Sequence, residues 1–234
     1  MDFFNYSVNC SSRYVSVIDI LNISEMSFDS CDKCGADKLV KWGNVIPKFE
    51  CETVTKNRKL PDIMLYGGRM LQSFKSWEIV SENVKKIFDD EKLTGAIFYP
   101  AEIVYKQRGE YKTLEKQYFI MEVVGKAEID FKAMGVKCSL CELCGHFVFE
   151  GSLCPLFSKK GIYPTIIKKD SWDGSDVFNN NDCTERFVKS ILKAGLLGFE
   201  FIDYKQKYDA FDKKIYFKTL KDFNKISTLK EKDL

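Results

Sequence analysis

The chain has one histidine, His146, in 234 residues, and almost no net charge: 36 Lys and Arg against 34 Asp and Glu leave a formal +2. The first shortage excludes chemistry that needs a histidine pair. The second excludes an overall field that would recruit nucleic acid or a membrane surface. No apolar run approaches the roughly 20 residues of a membrane-spanning helix. No Walker or dinucleotide fingerprint occurs, and Tyr66-Gly67-Gly68-Arg69 is too short and unaccompanied to cradle a phosphate. The first residues, Met1-Asp2-Phe3-Phe4-Asn5, lack a basic segment leading into an apolar stretch, so no secretory signal is expected. The nine cysteines, an odd number, are then expected in a reducing cytoplasm. There C-x-x-C pairs favour metal or redox chemistry over structural disulfides.

What is present is the material of a globular protein: 45% apolar and 14% aromatic residues, enough for a sizeable core. Periodicity predicts strands at Arg13–Ile20, Ala96–Tyr105, Gln117–Val124, Phe147–Phe149, Tyr163–Lys168 and Gly198–Tyr204. The run Tyr118–Val124 is apolar nearly throughout, as in a strand covered on both faces, whereas Phe199-Glu200-Phe201 alternates. A helix is predicted from an N-cap at Ser81 to about Asp90, with Val84, Ile87 and Phe88 as its apolar stripe. A second is predicted from an N-cap at Asp182, with Glu185 three positions on, a buried face of Phe187, Val188, Ile191 and Leu192, and a stop at Gly195. Strands and helices without regular βαβ alternation indicate one α+β domain over 1–234 with a mixed or antiparallel sheet. The Lys-rich stretch 205–234 reads as a final strand and helix with a frayed end.

Two runs stand out: Cys31-Asp32-Lys33-Cys34-Gly35 and Cys141-Glu142-Leu143-Cys144-Gly145. A C-x-x-C turn presents two thiolates on one side of a tight loop, half of a tetrahedral four-cysteine zinc site. The following glycine lets the backbone take a positive φ, so that its amide turns toward the sulfurs. Cys31, Cys34, Cys141 and Cys144 are therefore the candidate metal ligands, and zinc, as a structural ion, the candidate cofactor. A redox dithiol competes, but that arrangement starts a helix after a strand and here a glycine follows each pair. Plain reduced turn cysteines compete as well. Cys138 makes a C-x-x-C-x-x-C run without the fourth ligand of an iron–sulfur frame and reads as a spectator. Cys51 and Cys154 lie near the turns and are lesser candidates for entering the site, while Cys10 and Cys183 read as small apolar residues. In Cys144-Gly145-His146 the glycine breaks the haem-attachment pattern, which leaves His146 beside the knuckle rather than in it. The acidic run Asp170–Asp176 looks like a carboxylate cluster, but Asp173-Gly174 at a bend with Trp172 as anchor favours a structural turn.

Around its two knuckles the chain resembles the bacterial double-CXXCG motif family, grouped with immunity proteins of polymorphic toxin systems. The likeness runs through Cys31–Gly35 with Trp42 and Pro47, then Trp77–Pro100 with its Val-Ser-Glu helix start and Leu93-Thr94-Gly95. It continues through Cys141–Gly145, then Trp172–Phe178 and the helix Glu185–Ala194. The resemblance implies a non-enzymatic cytoplasmic protein that binds a cognate toxin and blocks it, with the four knuckle cysteines as zinc ligands. Its α+β fold would be stapled by a zinc-ribbon-like site. A zinc-ribbon nucleic-acid binder is the alternative, and it would need a continuous basic face.

Overall fold

The computed structural model describes residues 3–8, 14–25, 27–34, 37–41, 45–52, 54–55, 57–66, 77–133, 137–143, 147–149, 166–179, 181–203 and 218–224. Strands β1 to β7 span Phe3–Val8, Val17–Ile20, Ser27–Ser30, Asp37–Lys41, Lys48–Cys51, Ile63–Tyr66 and Trp77–Ser81. After α1 (Glu82–Glu91) come β8 (Ala96–Gln107), β9 (Glu110–Thr113), β10 (Tyr118–Val123), β11 (Cys138–Leu140), β12 (Phe147–Phe149), β13 (Val177–Phe178) and β14 (Asp182–Thr184). Helix α2 (Glu185–Lys193) and β15 (Phe199–Asp203) complete them.

The fold is mixed α+β, as expected. Its largest sheet runs β2-β5-β8-β10-β7-β6, with β9 also paired to β8. Only the β5–β8 pair is parallel, so the sheet is mixed. It curls: the chain entering β2 meets the chain entering β6, where Tyr14 bridges Lys59. Strand β10 sits centrally and was legible in the sequence because both of its faces are covered. Its register sorts side chains by parity, since successive residues point to opposite faces. Ile63, Val80 and Phe119 lie abreast and enter one apolar cluster. Met64, Ile79 and Ile120 lie abreast and enter the other, inside the curl.

A second sheet, β13-β14-β1-β15, is antiparallel throughout. It shares the first cluster with both helices: Phe4 and Tyr6 of β1, Phe199 and Phe201 of β15, Val84 and Phe88 of α1, and Phe187, Val188, Ile191 and Leu192 of α2. At about 1.5–3 kcal/mol for each fully buried large apolar side chain, this cluster is a dominant source of stability.

Helix α1 starts where Ser81 predicts, but the Ser81 side chain does not cap it. Its hydroxyl instead donates to the buried Asp62 carboxylate at 2.6 Å. The predicted N-cap of α2 is corrected. Asp182 lies in β14, paired with Asn5 of β1, and the cap is Thr184, whose Oγ1 accepts the Phe187 N–H. Strand pairing carries the extended backbone two residues past Asp182, so the helix begins later; Gly195 follows its end as expected. Of the predicted Arg13–Ile20 strand, residues 14–20 are described and the strand spans Val17–Ile20, while β8 runs on to Gln107. The alternation read at Phe199–Phe201 does not continue, because Ile202 and Asp203 are both buried. Of Tyr163–Lys168 only 166–168 is described, with Ile167 bridged to Ile129. In the tail, the described part of 205–234 is 218–224, with Phe223 buried against Phe4 at a ring separation of 5.7 Å.

Candidate metal centre

Each knuckle sits at the tip of a two-stranded hairpin. Strands β3 and β4 pair from Ser30–Asp37 down to Ser27–Lys41, and β11 and β12 from Leu140–Phe147 down to Cys138–Phe149. The described tip residues are 31–34 in the first hairpin and 141–143 in the second. Cys31 and Cys141 hold the same position, immediately after the first strand of their hairpins. The two hairpins are far apart in sequence, yet the Cys31 and Cys141 sulfurs lie 3.7 Å apart. Cys34 joins them, all three Sγ atoms lying within 4.8 Å of one another. Cys141 is buried, and Cys31 and Cys34 are half-buried.

The sulfur separation is informative. A disulfide needs about 2.05 Å between sulfurs. Four thiolates each about 2.3 Å from a tetrahedral metal lie about 3.8 Å from one another. The Cys31–Cys141 spacing thus matches one edge of such a tetrahedron, and these three cysteines can hold a metal ion. The fourth predicted ligand, Cys144, lies outside the described residues, as do Gly35, Gly145, His146, Trp42, Cys10 and Cys154. The turns also meet outside the sulfur cluster, where Lys33 Nζ pairs with Glu142 Oε2 at 2.5 Å.

The remaining described thiols are elsewhere. Cys51 points into the cluster inside the curl, where burial pushes its thiol up to about 11. Cys183 lies fully buried in the helix-backed cluster, its thiol raised by burial and then by Asp182. Both are packed as small apolar groups. Cys138 belongs to β11, opposite Phe149.

The acidic run Asp170–Asp176 forms a clasp. Asp173 accepts the Lys126 and Ser175 N–H groups at 2.7 and 2.9 Å. Burial would raise its carboxyl, but these bonds outweigh it and hold the group low. The Trp172 indole donates to the Ser175 carbonyl and meets Phe3 edge-on at 5.3 Å. Asp176 is buried and accepts the Thr94 N–H, the Thr184 hydroxyl and Arg186 Nη1 at 3.0, 3.0 and 3.2 Å. Arg186 also donates to the carbonyls of Glu91 and Lys92, which ties the end of α1 to the start of α2. Gly95 and Gly125 admit this segment, because a Cβ at either would lie 2.0 or 2.2 Å from the Val177 carbonyl oxygen. The turn reading therefore holds, and these carboxylates bind the protein itself.

Two buried acids carried no signal in the sequence. Asp62 accepts from the Leu197 N–H, Lys116 Nζ and the Ser81 hydroxyl at 2.8, 2.8 and 2.6 Å. Burial pushes its carboxyl up, but these donors outweigh it and keep it below the ordinary value. Glu78 has the Tyr6 hydroxyl at 2.5 Å, and burial raises its carboxyl to about 8 despite that bond. Both needed a partner distant in sequence, so local pattern could not reveal them. The amphipathic pattern of each helix says which face is buried, not which acid it is buried against. No family model matches this chain, and no curated protein does.

Proposed function

We propose that this protein is a non-enzymatic immunity protein that binds a cognate bacterial toxin in the cytoplasm and occludes its active surface. Its scaffold is held in part by one zinc ion on Cys31, Cys34, Cys141 and Cys144, in a zinc-ribbon-like arrangement of two hairpins. The observation that carries this reading is where the side chains of the resembling segments go: onto one another. Cys31 meets Cys141, and Asp176 of the Trp172–Phe178 segment joins Thr94 to Thr184 and Arg186. Residues used in this way are scaffold, and they leave the outer surface to a partner. Four thiolates would saturate a tetrahedral zinc and leave no position for a substrate or an activated water, so the ion's role would be structural. Binding would then rest on a few aromatic or Arg anchors within a polar rim.

The deciding experiment is co-expression in a bacterial host with the toxin encoded immediately upstream of its gene, scored by survival. Rescue is expected, and unchanged killing removes the proposal. Metal analysis tests the scaffold separately: about one zinc per chain is expected, lost when Cys31 and Cys141 are changed to Ser.

A further inference from the structure

We propose that Cys31 and Cys141 form a disulfide across the two knuckles, a covalent clamp that replaces the metal when it is lost under oxidising conditions. Their sulfurs already lie 3.7 Å apart, so reaching a bond of about 2.05 Å is a movement of less than about 2 Å. The exposed Lys33–Glu142 ion pair also spans the two turns. Cys31 is half-buried, so a small oxidant reaches at least one member of the pair. Cys34 competes for either sulfur, since all three lie within 4.8 Å. Only a bond between hairpins reproduces what the metal does. It links positions 110 residues apart and restricts the denatured chain far more than a bond within one turn.

Oxidised glutathione is a sufficient co-reactant. One protein thiolate attacks a glutathione sulfur, which breaks that S–S bond and releases one glutathione thiolate. The second protein thiolate attacks the protein sulfur of the mixed disulfide and releases the other. Two protein thiols lose two electrons and two protons, and one glutathione disulfide becomes two glutathione thiols. A sulfur in a disulfide is no longer a thiolate ligand, so the metal and the cross-link exclude each other.

The test is independent of the toxin reading. The full-length protein is stripped with EDTA, equilibrated with oxidised glutathione, alkylated and digested with trypsin, and its linkages are mapped by mass spectrometry. Cleavage after Lys33 places Cys31 and Cys34 on separate peptides, and fragmentation of peptide 138–159 assigns Cys141. The expected product is a Cys31–Cys141 linkage in most molecules, with zinc rebinding lost at least tenfold and regained after reduction. Linkages within one turn, stable glutathione adducts or persistent thiols would overturn the proposal. The Cys34→Ser, Cys144→Ser double variant keeps both sulfurs and removes the competing partners. If it does not cross-link, the proposal fails whatever the stripped wild type does. Zinc measured before stripping separates the two readings: a zinc protein that does not cross-link refutes only the disulfide, and a zinc-free protein that does refutes only the metal.

Discussion

Phe187 and Cys141 are both buried, yet their surroundings have little in common. Around Phe187 lie the rings of Tyr6, Phe88, Phe199 and Phe201, with centroids 5.5 to 6.2 Å away. Around Cys141 lie other sulfurs and an ion pair between side chains 54% and 85% exposed, and Leu143 two residues on is 66% exposed. Of the hairpin residues whose side chains are described, Cys31–Cys34, Ser139, Cys141–Leu143 and Val148, none belongs to either apolar cluster. One region is held by excluding water, which scales with buried apolar area. An isolated two-stranded hairpin is marginally stable at best in water, so a metal held by the close sulfurs would add to it. The difference sets a packed apolar region against a proposed metal site as two separable means of holding the backbone.

Metal removal should expose that separation most strongly. Structural zinc contributes on the order of 10 kcal/mol to small zinc-bound units. Chelation is therefore expected to abolish hydrogen-exchange protection in β3, β4, β11 and β12 while α2 and β15 keep theirs. Simultaneous loss in both regions would collapse the comparison into one cooperative unit. Phe187→Ala probes the other side: it should destabilise by about 3–5 kcal/mol in denaturant titration. Zinc content of the folded variant should stay unchanged.

A third prediction concerns a charge inside the packed region. The fold favours neutral Glu78, whose carboxyl is raised to about 8 chiefly by burial. Its contribution is complete below the ordinary value of about 4.5 and is lost as pH rises through about 8. Between about pH 5 and 8 the wild type should lose stability relative to Glu78→Gln, on the order of a few kcal/mol. A difference that does not vary with pH would show that Glu78 does not carry the proton. The smallest effect belongs to the knuckle surface, where Lys33→Ala should change stability by less than about 1 kcal/mol, because its ion pair is solvent-screened. A larger loss would mean that the hairpins depend on more than their sulfurs.

Asp62 and Glu78 repeat the lesson within one sheet. Several donors, the Lys116 ammonium among them, keep Asp62 low, while a single tyrosine hydroxyl leaves Glu78 raised. Burial is common to both, and the donors together with the Lys116 charge decide the sign at Asp62.

Much of this was legible from local pattern. The stripe Val84, Ile87, Phe88 located α1, and the unbroken apolar run located β10, because those signals depend on residues within a turn or two. Strand β1 is not among the predicted strands, although Phe4-Asn5-Tyr6-Ser7-Val8 alternates; what the segment by itself does not show is its pairing with β14 and β15, about 180 to 200 residues later. The same pairing displaced the α2 cap from Asp182 to Thr184.

The sequence alone determined the two thiol turns, since C-x-x-C spacing sets sulfur geometry through covalent structure within four residues. It also determined the buried face of each helix, through a period of 3.6 residues. Only the tertiary structure decided that Cys31 meets Cys141, that Asp176 is consumed in a clasp, and that Glu78 is raised while Asp62 is held low. Those outcomes depend on groups from distant parts of the chain arriving at one point. Local sequence does not encode that arrival; it follows from packing two sheets and two helices around shared cores.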